Sequence, residues 1–117
     1  MTMRKIVTGL CIVLSATVLA TNGLAIQAKE ITIGQKNKTF VLDGQKIEAI
    51  NVNVGDTIHF ANNDPWFHNI FSLSDLKTFD LGSYPQGESR PVIFDKKGTV
   101  QIECAIHPNM FLEVSVK

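Results

Sequence analysis

The chain has 117 residues, 44% of them hydrophobic, and its 11 basic and 11 acidic residues give a formal net charge of +0. That length suits one small domain, and a balance this flat excludes nucleic-acid or membrane recognition driven by overall positive charge.

The chain opens on a leader pattern. Arg4 and Lys5 form a short positive region, and an apolar run from Ile6 to Ala20 follows. Gly23 and Ala25 then supply the small side chains that a signal peptidase requires. Residues 1–25 are therefore expected to be a cleaved secretory signal, with Ala28 as the alternative end. The rival, an uncleaved anchor, needs a span of roughly 20 apolar residues. Cys11 follows Leu10 and not a small residue, which argues against a lipid attachment site. Removing residues 1–25 takes away Arg4 and Lys5 and no acid, so the +0 of the full chain becomes −2 over 92 residues. The expected location is periplasmic or secreted. The expected state is a monomer without stable membrane contact.

Residues 26–117 read as strands almost throughout. Ile31 and Ile33 alternate with polar neighbours, and Phe40 to Leu42 is a short apolar run. Ile50, Val52 and Val54 alternate up to a turn at Gly55-Asp56, and Ile58 and Phe60 resume the pattern. Ser74 to Arg90 breaks the rhythm and is expected to be a long connection with one helical turn. Val92 to Phe94 is a further strand, and Lys96-Lys97-Gly98 a turn. Val100, Ile102 and Cys104 then share a face, and Leu112, Val114 and Val116 close the chain. Period-2 alternation at short spacing predicts an all-β, antiparallel Greek-key sandwich or barrel.

Beyond the leader there is one cysteine, Cys104, and one methionine, Met110, with His107 midway between them. An exported domain with a single Cys has no internal disulfide, and its thiol is a hazard, a partner for another chain, or a ligand. Thiolate and thioether are soft donors, and imidazole suits copper. Two His, one Cys and a weak axial Met form the blue-copper set. His68 is the candidate second histidine, because it follows a strand end at Asn62 and a turn at Asn63-Asp64-Pro65. His59 lies between the inward-facing Ile58 and Phe60, so it is expected to face solvent. Zinc is disfavoured, since a thioether is a poor fourth ligand for it. Trp66 and Phe67 are expected either in the core or, with Pro65, Pro108 and Phe111, on an apolar rim near the metal.

The Val54-Gly55-Asp56-Thr57 turn, the His68-Asn69 pair and the C-x-x-H-x-x-M loop resemble cupredoxins of the amicyanin, pseudoazurin and plastocyanin-like kind. Phe79 to Met110 is most similar to the plastocyanin-like proteins associated with methylamine utilisation. The loop departs from the amicyanin pattern by carrying Ile106 before its His and Pro108-Asn109 after it. The resemblance implies one copper ion held by His68, Cys104, His107 and Met110. It implies single-electron transfer between a donor and an acceptor protein that dock briefly, and no enzymatic step. It also implies that Asn69 ties the two ligand loops together and donates its backbone N–H to the Cys104 sulfur. Two other readings use the same residues. One is a copper carrier or storage protein, and the other a thiol enzyme with Cys104 as nucleophile and His107 as base.

Overall fold

The computed structural model describes Gly9, residues 12–15 and residues 27–117. The leader expected over residues 1–25, with its cut after Ala25, lies for the most part outside the described residues. Among the described residues every regular element is a strand: β1 (Glu30–Lys36), β2 (Thr39–Leu42), β3 (Gln45–Lys46), β4 (Ala49–Val52), β5 (Asp56–Asn62), β6 (His68–Ser74), β7 (Lys77–Tyr84), β8 (Ser89–Phe94), β9 (Gly98–Cys104) and β10 (Phe111–Val116). They form two five-stranded sheets, ordered β3-β2-β1-β5-β8 and β4-β10-β9-β6-β7.

The expected all-β sandwich is present, but its sheets are mixed and not purely antiparallel. β1 pairs parallel with β5, and β10 pairs parallel with β4. The reason is connectivity. A parallel pair needs a long crossover, and here the crossover from β1 to β5 runs through β2, β3 and β4. The chain passes between sheets at β3–β4, β4–β5, β5–β6, β7–β8 and β8–β9, so many sheet neighbours are not hairpin partners.

Alternation builds the core between the sheets. Ile33, Phe40, Ile58, Phe60, Val92 and Phe94 enter from one side. Ile70, Tyr84, Val100, Ile102, Leu112, Val114 and Val116 enter from the other. Cys104 continues the Val100–Ile102 face and is 3% exposed. Val54 leaves the pattern that sequence predicts for it. β4 ends at Val52, because Asn53 to Asp56 closes a turn by a 3.0 Å bond from Asp56 N–H to Asn53 O, leaving Val54 exposed.

The expected long connection over Ser74 to Arg90 is a strand instead. β6 and β7 form a hairpin with Ser74 opposite Lys77. Phe79 and Leu81 lean on the core, while Thr78 and Asp80 face water. The alternation is real but is hidden by a bulge. The β6–β7 register shifts between Asn69 and Phe71, opposite Gly82. Gly82 has φ +70, a conformation that side chains resist. The Arg90 guanidinium donates to Leu81 O and lies 4.9 Å from the centre of the Tyr84 ring, holding the bulge in place.

A buried polar side chain organises each end of β5. At the start, Asp56 accepts from the backbone N–H of Lys29 at 2.8 Å and of Asn53 at 2.8 Å. These two donors, led by Lys29, hold its pKa below the ordinary 3.8 despite the opposing effect of burial. At the far end, Asn62 joins two sheet-crossing loops. Its side-chain amide donates to Trp66 O at 2.8 Å and to Tyr84 O at 3.0 Å, and its carbonyl accepts from Asp64 N–H at 2.9 Å.

Asp56→Asn is expected to lower stability by about 1–2 kcal/mol at neutral pH, since one charge-assisted bond is lost. Because the folded pKa is depressed, that contribution is present above pH 3.8 and fades as pH falls through the folded value. Urea unfolding of both proteins at neutral and strongly acidic pH should therefore show the difference closing in acid. A difference that widened in acid would contradict this role for Asp56.

Candidate metal centre

The centre lies at the Asn62 end of the sandwich. β6 and β9 pair antiparallel with Ile70 opposite Cys104. Side chains two apart share a face, so His68 points inward with Ile70 and lands beside Cys104. The ladder extends one step further, with Ala105 N–H donating to Asn69 O at 2.9 Å. The chain then turns, and Met110 N–H returns to His107 O at 3.0 Å. That turn brings His107 over Cys104 and sends Met110 into the core, 1% exposed.

Three donor atoms converge. Cys104 Sγ lies 3.7 Å from His68 Nδ1 and 3.6 Å from His107 Nδ1, and the two Nδ1 atoms are 3.1 Å apart. The point equidistant from these corners is about 2.0 Å from each, a normal metal–imidazole bond length. Two nitrogens and one sulfur at that spacing fit a single ion. His68 and Cys104 are buried, and His107 is partly open to water.

His68 is fixed from behind. Its Nε2 lies 2.8 Å from Asp64 Oδ2, with the His68 and Asp64 side chains 0% and 1% exposed. Asp64 also accepts from Asn37 N–H at 2.7 Å and Lys38 N–H at 3.1 Å. Burial would push its carboxyl up, but the Lys38 amide, His68 and the Asn37 amide together hold it below the ordinary range. Burial, followed by the nearby His68 and Lys38, lowers the His107 pKa, and Asp64 opposes this weakly. The ring is therefore neutral at neutral pH, with a lone pair free to bind.

The structure thus brings together His68, Cys104 and His107, and places Met110 in the same loop. His59 stays out of the site, as expected: it is on the other sheet, half-exposed, 3.3 Å from Glu30 Oε1. Asn69 ties the loops through its backbone carbonyl, whereas the polar neighbours of Cys104 Sγ are the two imidazoles. Asn69 Oδ1 is buried without a hydrogen bond among the described residues. The two readings of Trp66 and Phe67 resolve to the rim. Trp66 is 38% exposed, Phe67 54%, Ile106 51% and Phe111 37%, and the Trp66 ring sits edge-on to His107 with centroids 6.4 Å apart. Lys38 lies over the Trp66 ring at 5.2 Å. Sequence reasoning placed Asp64 only in a turn. The available signal was an acidic residue in the same short loop as a ligand histidine.

No protein-family model matches the chain, and no curated protein matches it in sequence. Solved structures do. An amicyanin variant in its Cu(I) form aligns with a TM-score of 0.66 at 19% identity, over 75% of this chain and 82% of its own. A reduced amicyanin variant aligns at 0.66 and 18%, over 80% and 88%. A Cu-containing nitrite reductase (NirK) from Thermus scotoductus SA-01 aligns at 0.66 and 21%, over 75% of this chain and 22% of that longer one. In strand content, layering and these alignments, the chain has the cupredoxin-like fold.

Proposed function

We propose that the chain is an exported type 1 copper protein that passes single electrons between redox proteins. The supporting observation is the preformed triangle of one thiol and two imidazole Nδ1 atoms, 3.1–3.7 Å apart. A soft sulfur with two imidazoles suits copper. Cys104, His68 and His107 would hold the ion, with the Met110 thioether as a further, weak donor. When bound, copper supplies a one-electron couple.

The chain's own residues then have distinct tasks. The β6–β9 ladder fixes Cys104 and His68 relative to one another. Burial keeps water and other thiols from Cys104. It also keeps the thiol from a substrate, which counts against the nucleophile reading. His107, open on one side among Trp66, Phe67, Ile106 and Phe111, is the port. An exposed apolar rim suits brief docking. No bond is made or broken in this role, and the protein acts as a monomer in the periplasm or outside the cell, as the leader pattern suggests.

Adding Cu(II) to the purified protein should give an intense visible band and a paramagnetic-resonance signal from one ion per chain. Cys104→Ala is expected to abolish the band, and a variant that kept it would refute the thiolate assignment. His68→Ala should weaken copper binding by more than the roughly 100-fold that follows loss of an outer hydrogen-bond partner alone. His59→Ala should leave binding unchanged, as isothermal titration can check. Met110→Leu should stay coloured with a raised reduction potential, because losing a sulfur donor disfavours Cu(II) more than Cu(I). An unmoved potential in cyclic voltammetry would remove Met110 from the ligand set.

A further inference from the structure

Asp64 gathers donors from both halves of the sandwich. Asn37 and Lys38 have φ of 52° and 57° and are the central residues of the tight β1–β2 turn, where Lys36 pairs with Thr39. Both of their amide N–H groups end on the Asp64 carboxylate, at 2.7 and 3.1 Å. The remaining contact is His68 Nε2 at 2.8 Å. An ionised carboxylate only accepts hydrogen bonds. The proton of a neutral His68 must therefore sit on Nε2. Nδ1, facing Cys104 Sγ and His107 Nδ1, is left with its lone pair.

We propose that Asp64 is a positioning residue of the metal centre: it fixes His68 as the Nε2–H form and, through that imidazole, favours the more highly charged state of the bound ion. This rests on the copper reading above. A carboxylate behind a ligand imidazole fixes ring orientation and raises ligand basicity. Here both groups are shielded from water, so the negative charge is poorly screened. It stabilises a dipositive ion more than a monopositive one. Asp64 also joins the β1–β2 turn of one sheet to a ligand at the start of β6 in the other, so the ring is set before any metal arrives.

Two measurements on the full-length chain test this. Nitrogen-15 NMR of the metal-free protein should show His68 protonated at Nε2 alone. A proton on Nδ1, or a mixture of the two forms, would overturn the fixed orientation. In the copper-loaded protein, Asp64→Asn should raise the reduction potential. A tenfold fall in the ratio of Cu(II) to Cu(I) affinity, the low end of what loss of an outer hydrogen-bond partner does to binding, is a rise of about 59 mV for one electron. Asp56→Asn is the control. It alters a buried carboxylate of the same kind at the other end of β5, about 20 Å away at roughly 3.3 Å per residue, and should leave the potential where it was. A purely structural role for Asp64 predicts lower stability with an unchanged potential, and that result would overturn the proposal. If the unmodified chain took up no copper, the copper reading would fall, and the NMR arm would still decide how Asp64 holds His68.

Discussion

The pairing of β6 with β9 is the constraint on which the site depends. With Ile70 opposite Cys104, strand periodicity delivers His68 to the inward face beside the thiol. A shift of one residue in either strand would turn its donor outward, because the side-chain period is two. The neighbouring core resists such a shift. Val100 and Ile102 on β9 and Ile70 on β6 are buried on the same face, and slipping would expose them. The apolar core thus sets the position of polar ligands that contribute little to it.

Around that fixed pair, the polar groups at this end of the sandwich form a second layer of constraint. Asn62 spans the loops that leave β5 and β7. Asp64 reaches the β1–β2 turn and His68. Gln35 Nε2 donates to the Tyr84 hydroxyl at 2.8 Å, and burial pushes the Tyr84 pKa up to about 12, so the phenol stays neutral. Gly34 allows this layer to close. A Cβ there would meet Asn63 Nδ2 at 2.7 Å, so a larger residue would make the Asn63 side chain move aside. Buried hydrogen-bonded groups of this kind are costly to disturb, which gives His68 a rigid backing. His107, on the loop after β9, is the less enclosed of the two.

Much of this was legible in the sequence, for physical reasons that differ by element. Strands such as Gly98–Cys104 and Phe111–Val116 show clean alternation because one face meets the core and the other meets water. The ligand loop stands out because sulfur residues are scarce and one turn holds both with a histidine. β7 was hidden because its bulge at Gly82 breaks the period, and because an edge strand tolerates the polar residues that look like a loop. The parallel pairs were hidden because local pattern carries no information on which distant strand becomes a neighbour. The hold on Asp64 was hidden for the same reason, since the Lys38 and Asn37 amides it accepts from lie 26 and 27 positions away; only His68, 4 positions away, was local.

The central claim is that His68, Cys104 and His107 close on one copper ion. X-ray absorption at the copper edge of the loaded protein tests it most directly. The account predicts one short copper–sulfur bond and two copper–nitrogen bonds near 2.0 Å, with imidazole scattering from both nitrogens. A copper environment made of oxygen and nitrogen alone, with no short sulfur bond, would contradict it.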